Sequence, residues 1–282
     1  MSYRSLIEER LRESEYRSEL EEENALKQIF QEIILYALYE ARFFNIAAFH
    51  GGTELRILRN SNRFSEDLDF ALYVKNKAFD FSLMTKQVKE SLFNWEVEME
   101  VIDKSKAGNV IKKMLLKDTS MAKLLILNPL YDKRKTVSVK VELDTHPPEG
   151  INTEIKYLEY PVTFPVTSFD LSTSFSGKLH ALLCRNYIKG RDWYDFIWYT
   201  QKKPELNIKF IRNAFFQQGP WEKQNIEIDK EWIIEKLKQK INEIDWKQAK
   251  EDVRPFLKHD YVGGLEHWSK AYFQQALMRL YE

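Results

Sequence analysis

The sequence predicts an α+β fold in which a mixed β-sheet is flanked by helices. Polar and apolar residues alternate at 95–103 and 135–145, as they do in strands with one exposed face. Near both ends of the chain, apolar residues recur every three or four positions, which is typical of amphipathic helices. We therefore expect N-terminal helices at 1–48, a core at 49–165 and a helical C-terminal domain at 166–282.

The N-terminal helices are predicted from charge in their first part and from apolar content in their second. Residues 3–30 are rich in Glu, Arg and Leu, and they predict one or two solvent-exposed helices. Residues 32–49 are more apolar and predict a buried helix. Gly51-Gly52 then predicts a turn, and residues 53–60 predict a short helix after it.

The core is predicted to contain strands separated by one helix. In order, we expect a strand, a helix and three further strands, at 68–74, 79–93, 95–103, 121–131 and 135–145. The last two strands predict a hairpin through Asp132-Lys133-Arg134, and Pro147-Pro148 ends that unit with residues that favour turns. After a proline-containing connector at 160–167 the pattern becomes helical. Helices are predicted at 176–201, 207–219, 229–244 and 267–281.

The composition excludes several classes of protein. The chain has 43 basic and 43 acidic residues, so its formal net charge of zero shows no overall basic excess for nucleic-acid binding. The single cysteine, Cys184, excludes an intramolecular disulfide and a cysteine-based zinc site, and its apolar helical setting predicts a buried thiol. No apolar run approaches the length of a membrane span, so we expect a cytoplasmic protein with no membrane partner.

Two carboxylates of the segment 49–72 are candidates for metal binding. Asp67 and Asp69 alternate along a predicted strand, so their side chains emerge on the same face and repel each other unless a cation lies between them. Two Mg²⁺ ions, or Mn²⁺ in their place, would suit such a pair together with a third carboxylate. Our first choice for the third ligand is Glu142 and our second is Asp144, because both lie on the polar face of the strand at 135–145.

The glycine turn of the same segment is a candidate phosphate site. Gly51 and Gly52 allow backbone N–H groups to approach a triphosphate closely, and the following helix offers its positive end. Thr53 can add a hydroxyl group to a phosphate oxygen. Three further side chains of the segment are candidates for phosphate contacts, namely Arg56, Arg63 and Ser65.

These residues carry a family resemblance. The Gly52-Thr53 turn, a spacer of 13 residues and Asp-x-Asp at 67–69 resemble the DNA polymerase beta-like nucleotidyltransferase superfamily. The fuller string GGTELR…RFSEDLDF resembles the AbiEii/AbiGii toxin family, which includes the MenT-type toxins. A second motif of that family is present as Lys178-Leu179-His180-Ala181 and Arg191-Asp192-Trp193-Tyr194-Asp195. The resemblance covers about residues 30–200.

The resemblance implies roles for individual residues. Asp67 and Asp69 are similar to the family's metal ligands, and Lys178 is similar to its essential lysine, which would contact the nucleotide phosphates. Asp192 is similar to the acidic residue of the later motif, which orients the lysine or an acceptor group. Arg185 would lie two turns after Lys178 on the same helix face, where a phosphate contact and a plain surface charge are equally good interpretations.

The function expected from the resemblance is transfer of NMP from an NTP such as ATP to an acceptor hydroxyl, with Mg²⁺. It implies a toxin or phage-defence effector that acts on a tRNA 3′ end, selected by the C-terminal helices, and that is neutralised by an antitoxin. Three alternatives stay open. The acceptor could be a protein or a small molecule, the enzyme could be a phosphotransferase, or the chain could be a nucleotide-binding module without catalysis.

Overall fold

The chain divides into two units, which are described separately. The computed structural model describes residues 3–14, 16–97, 99–105, 109–118, 137–224 and 226–281. Unit 1 comprises Met1–Asn60, Phe64–Pro147 and Ile155–Ser168, and unit 2 comprises Ser61–Arg63, Pro148–Glu154 and Phe169–Glu282. In the described part of the chain, no helix is both long enough and apolar enough to cross a membrane.

The α-helices in the described part of unit 1 are α1 (Tyr3–Glu13), α2 (Glu19–Glu40), α3 (Gly51–Arg59) and α4 (Ser82–Asn94). The side chain of Ser18 caps α2 by accepting a hydrogen bond from the backbone N–H of Glu21. After α2 the backbone of Arg42 adopts a left-handed conformation, with φ 58°, and a short 3₁₀ turn follows at Phe43–Asn45. The helix predicted at 32–49 therefore ends earlier than expected, and the prediction was wrong for its last residues.

Among the described residues, seven strands form one mixed sheet, and most of their residues belong to unit 1. They are β1 (Ala47–His50), β2 (Asp67–Leu72), β3 (Met99–Asp103), β4 (Ile111–Asp118), β5 (Ser138–Asp144), β6 (Thr153–Leu158) and β7 (Phe164–Phe169). Their order across the sheet is β3-β4-β5-β2-β1-β7-β6. β2 therefore lies in the centre, where it pairs parallel with β5 and antiparallel with β1.

The sheet differs from the sequence-based prediction in four of its strands. β1 was assigned to the end of a helix, and β4 was not predicted. β6 was not predicted either, and β7 overlaps the region 160–167 that was interpreted as a proline-containing connector. Pro165 is compatible with β7 because the pairing with β1 is at Ser168, three residues further along. The strand predicted at 121–131 and the hairpin through Asp132-Lys133-Arg134 lie outside the described residues.

The two faces of the central strands differ in polarity, as the alternation predicted. Leu68 and Phe70 of β2 are buried with Val139, Val141 and Leu143 of β5. Phe70 also stacks on Phe49 of β1, with ring centroids 5.1 Å apart. The apolar face thus fixes β2 and β5, and the residues between these apolar ones must point to the opposite face.

Unit 2 is helical in its long C-terminal segment. Its helices are α5 (Leu171–Cys184), α6 (Gly190–Lys202), α7 (Ile208–Gln217), α8 (Lys230–Glu243), α9 (Trp246–Val253), α10 (His259–Val262) and α11 (Lys270–Met278). The helix predicted at 176–201 is two helices, separated by residues 185–189. The second helix begins at Gly190. This position needs glycine, because a Cβ atom there would lie 1.8 Å from the carbonyl oxygen of Ala249.

Aromatic side chains form much of the interior of unit 2. Trp193 and Phe196 of α6 are buried, as is Phe273 of α11, and Trp246 stacks on Phe273 with ring centroids 4.0 Å apart. These aromatic side chains of α6 therefore belong to the interior of unit 2.

Candidate active site

The glycine turn and the second aspartate meet because β1 and β2 pair in antiparallel register. His50 is the partner of Asp69, and α3 begins at the next residue, Gly51. Gly51 has φ +88°, and a Cβ atom built on it would lie 2.6 Å from the Oδ2 atom of Asp69. The position needs glycine for two reasons, since the backbone conformation is left-handed and the carboxylate occupies the space of a side chain.

The neighbouring strand β5 brings a third carboxylate alongside the first two. In the parallel register of β2 and β5, Asp67 is the partner of Lys140 and Asp69 is the partner of Glu142. All four residues lie on the face opposite the apolar core, and all are partly exposed. We call Asp67, Asp69 and Glu142 the acidic patch of unit 1.

Two lysine side chains neutralise most of the charge of the acidic patch. The Nζ atom of Lys140 lies 3.1 Å from Oδ2 of Asp67 and 3.2 Å from Oε1 of Glu142. The Nζ atom of Lys113, on β4, lies 2.8 Å from the same oxygen of Glu142. Partial burial lowers the pKa of Lys140, but these carboxylates raise it more, so the pKa is above its ordinary value.

The hydrogen bonds of these lysines also act on Glu142. Partial burial raises the pKa of Glu142, but the hydrogen bonds from Lys113 and Lys140 lower it more, so the pKa is below its ordinary value. Glu142 is therefore held as a carboxylate, which is the form that binds a metal ion.

The acidic patch has the donor set that Mg²⁺ prefers. Among the described residues, no group of three or more His, Cys, Asp and Glu side chains is arranged so that it could hold a metal ion. Asp67 and Glu142 instead share the Lys140 ammonium group, which is a monovalent cation held by oxygens from two strands. This arrangement shows that the two carboxylates can coordinate one positive charge, and carboxylate oxygens are hard ligands that fit Mg²⁺ or Mn²⁺.

Asp144 has a different environment from Glu142. Its partner on β2 is Ala71, so it lies one pair beyond the two aspartates along the strands. Its Oδ1 atom accepts a hydrogen bond of 2.8 Å from the backbone N–H of His146. Burial raises the pKa of Asp144 above its ordinary value. Of the two candidate third ligands, Glu142 therefore lies nearer to the pair.

Two buried polar side chains support the start of β2. The Nε2 atom of Gln31, on α2, donates hydrogen bonds of 2.9 Å to the carbonyl oxygens of Ser65 and Glu66. The Thr53 hydroxyl group donates to the carbonyl oxygen of Asp67. Both side chains are fully buried. Thr53, predicted as a phosphate contact, thus has its hydroxyl proton directed at the backbone of β2.

The other predicted phosphate contacts of unit 1 have protein partners. The Nε atom of Arg56 donates a 2.8 Å hydrogen bond to Gln28, and its guanidinium group lies over the ring of Phe64. Ser65 is half-buried at the entry of β2. Gly52 follows Gly51 in the first turn of α3, where backbone N–H groups lack partners within the helix.

Unit 2 contains a buried charge network, which we define as Arg63, Lys178, Arg185, Asp192 and Asp195. The Nε and Nη2 atoms of Arg63 each lie 2.5 Å from one carboxylate oxygen of Asp195. The Nζ atom of Lys178 lies 2.7 Å from Asp192 and 2.8 Å from Asp195. Arg185 pairs with the other carboxylate oxygen of Asp192.

Burial and charge determine the protonation of this network. Burial raises the pKa of Asp195, but Arg63 and Lys178 lower it more, so the pKa is below its ordinary value. Burial lowers the pKa of Lys178, and Asp195 only partly opposes this effect. Arg63 was expected to contact phosphate, but only 2% of it is exposed and its fork is taken by Asp195. In this structure the Arg63 guanidinium group is therefore engaged by a buried carboxylate.

Sequence patterns did not identify several of these contacts. Gln31, Lys113 and Lys140 were not singled out, and the sequence allows Asp195 equally well as a partner of Arg191 in an ion pair within one helix. The alternation in β5 placed Lys140 on the polar face, and this was the available signal for it. The other contacts join residues far apart in the chain, where local periodicity has no information.

This chain is similar to one known protein family and to several solved structures. Residues 33–279 match the family model described as nucleotidyl transferase AbiEii toxin, type IV toxin–antitoxin system. Among solved structures, the nucleotidyltransferase toxin MenT4 of Mycobacterium tuberculosis is 16% identical, with 98% of each chain covered and a TM-score of 0.48. JHP933 of Helicobacter pylori is 15% identical, with 90% of this chain and 86% of that chain covered and a TM-score of 0.45.

A more distant similarity is to an antigenic nucleotidyltransferase-like protein of Paracoccidioides brasiliensis. It is 13% identical, with 83% of this chain and 96% of that chain covered and a TM-score of 0.40. A search of the curated proteins gave no match. The family model covers most of the chain, including both motifs at 51–69 and 178–195. This chain therefore belongs to the AbiEii family of nucleotidyltransferase toxins and is a nucleotidyltransferase.

Proposed function

We propose that this protein transfers NMP from an NTP to an acceptor hydroxyl group, releases pyrophosphate and requires Mg²⁺. The observation that carries the proposal is the position of Asp69. Its carboxylate packs against Gly51 at the start of α3, and its partner on the next strand is Glu142. A glycine-containing helix start and carboxylates from two strands are the parts that binding of a metal–triphosphate complex needs.

In this proposal the acidic patch holds the metal ions. Asp67, Asp69 and Glu142 supply the oxygen ligands, and Mn²⁺ can replace Mg²⁺. Bound metal would lower the pKa of the acceptor hydroxyl and balance the charge of the triphosphate. Glu142 is our choice over Asp144, because Glu142 is the register partner of Asp69.

The first turn of α3 binds the triphosphate in this proposal. Gly51 and Gly52 are its first two residues, and they have no side chains that would keep a phosphate group away from the backbone N–H groups. The positive end of the helix dipole adds a favourable interaction with negative charge. Thr53 and Gln31 contribute indirectly, because both hold the backbone around Asp67.

The buried charge network of unit 2 is our candidate for contacts with phosphate. Lys178 and Arg185 are its less buried cations, with side chains 11% and 31% exposed, against 3% for Arg63. Because ammonium and guanidinium groups are good donors to phosphate oxygens, we assign phosphate contacts to these two side chains. Asp192 orients both cations, since it binds Lys178 through one oxygen and Arg185 through the other.

The acceptor we propose is the 3′ end of tRNA, and the biological role is that of a toxin with a cognate antitoxin in phage defence. The family described above, a type IV toxin–antitoxin family, supports the role and the antitoxin. A terminal ribose hydroxyl group fits the chemistry because it is an accessible oxygen nucleophile for in-line attack on the α-phosphate.

The test is an assay with each of the four labelled NTPs, total tRNA and either Mg²⁺ or Mn²⁺. We expect label on tRNA, release of pyrophosphate, and loss of both in Asp67→Asn and Asp69→Asn proteins. Asp80→Asn is a matched control, because Asp80 is an exposed carboxylate of unit 1 whose contacts include Ser82 at the start of α4. Persistent label transfer in the Asp67 or Asp69 variants would contradict the mechanism, and release of NDP would indicate a phosphotransferase.

A further inference from the structure

We propose that Lys140 is an internal counter-ion of the acidic patch. Its ammonium group moves away from the carboxylates when a metal ion and a triphosphate bind together. The inference rests on the function proposed above and adds a regulatory contact to it. It predicts that the acidic patch binds a divalent ion weakly without nucleotide and more tightly with it.

The position of Lys140 carries the first step. Lys140 is the register partner of Asp67 and lies two residues before Glu142 on the same face of β5. Its ammonium group contacts one oxygen of each of these carboxylates, at 3.1 and 3.2 Å. A metal ion that uses those oxygens must therefore compete with the ammonium group for them.

Charge balance carries the second step. The ammonium groups of Lys140 and Lys113 contact Asp67 and Glu142, so two positive charges offset the negative charges of these two carboxylates. A patch with most of its charge neutralised attracts a divalent cation much less than three unpaired carboxylates would. The lysines also allow the aspartate pair to exist without metal, because they reduce the repulsion between neighbouring carboxylates.

The contact between Lys140 and Asp67 is also exposed enough to open. The Lys140 side chain is 38% exposed and its Asp67 partner is 41% exposed, so the contact is weak enough to open. A displaced ammonium group gains a new partner if an anion arrives with the metal, and a triphosphate is such an anion. The binding of metal and the binding of nucleotide then favour each other, and this coupling must be reciprocal.

The test measures Mn²⁺ binding by the loss of the free-ion electron paramagnetic resonance signal, with and without a non-hydrolysable NTP analogue. In Lys140→Met protein, we expect the affinity for Mn²⁺ alone to rise about three- to tenfold, which corresponds to the loss of two partly exposed ion pairs. The enhancement by the analogue should fall, because the displaced cation is missing. Lys140→Arg keeps the charge and should bind Mn²⁺ like the wild type.

Lys86→Met is the matched control, since Lys86 pairs with Glu90 on the exposed side of α4 in the same unit. Its Mn²⁺ affinity should equal that of the wild type. If Lys140→Met binds Mn²⁺ no more tightly than the control while the wild type binds Mn²⁺ with nucleotide, the counter-ion role is wrong and the proposed function stands. If the wild type binds no Mn²⁺ with or without nucleotide, both proposals are wrong.

Discussion

Replacing Asp195 by alanine should destabilise unit 2 more than any surface substitution there. Asp195 is fully buried and binds two cations, Arg63 through two hydrogen bonds of 2.5 Å and Lys178 at 2.8 Å. Alanine would leave the Arg63 guanidinium group buried without its counter-ion, whereas Lys178 would keep Asp192.

The expected magnitude follows from these contacts. Removing one partner of a buried ion pair costs about 3–5 kcal/mol in unfolding free energy. Two cations lose a partner at once, so we expect the upper half of that range, about 4–5 kcal/mol. The double variant Arg63→Met with Asp195→Ala should lose less than the sum of its single variants, because the guanidinium group that depended on this carboxylate is then absent as well.

Urea unfolding followed by tryptophan fluorescence is a suitable assay. Six of the seven tryptophans lie in the sequence of unit 2, with Trp95 the exception, so the signal reports mainly on that unit. Glu251→Ala is the control, since Glu251 makes an exposed ion pair with Arg254 in the same unit, and its loss should cost less than about 1 kcal/mol. If Asp195→Ala lowers the free energy of unfolding no more than Glu251→Ala does, the buried charge network does not stabilise unit 2 and the reasoning is refuted.

The same substitution has a pH signature. Arg63 and Lys178 hold the pKa of Asp195 below its ordinary value despite its burial. A carboxyl group with a depressed folded pKa stabilises the protein above its unfolded pKa, about 4 for aspartate, and this stabilisation is lost as the pH falls through the folded value. The difference between wild type and Asp195→Ala should therefore be largest near neutral pH and shrink below about pH 4.

Three further substitutions or modifications test other contacts. Gly51→Ala should destabilise unit 1 by about 1–3 kcal/mol and slow nucleotidyl transfer, because the new Cβ atom strains the backbone and displaces Asp69. Urea unfolding measures the first effect and the labelled assay measures the second. Gln31→Leu removes the side chain that donates to the carbonyl oxygens of Ser65 and Glu66, so it should lower the free energy of unfolding by about 1–3 kcal/mol and lower kcat. An unchanged unfolding free energy and kcat would show that this contact is dispensable. Burial raises the pKa of Cys184 to about 12, so iodoacetamide at pH 8 should label native protein far more slowly than urea-unfolded protein.

The sequence was sufficient to predict the parts of unit 1 that have one buried face. Alternation identified β2 and β5, and the Asp-x-Asp spacing placed two carboxylates on the polar side of β2. β1 has no such alternation, because Ala47, Ala48 and Phe49 are all buried in the centre of the sheet. A short apolar run of this kind is easily taken for the end of the preceding helix.

The contacts that support the candidate site were less predictable than the site residues themselves. Gln31 lies 34 residues from Ser65 along the chain, and Arg63 lies 132 residues from Asp195. Periodicity describes neighbours within one element, and these pairs depend on how separate elements pack. The same limit applies to Lys140, because alternation along β5 puts it on the polar face but gives no information about its bonds to Asp67 and Glu142.

The central position of β2 has a consequence for changes in chain length. β2 pairs with β1 on one side and with β5 on the other, so an insertion inside it would have to shift the register against two neighbours at once. A shift by one residue would also turn Asp67 and Asp69 towards the apolar core. Insertions should therefore be tolerated before or after residues 67–72 but not within them.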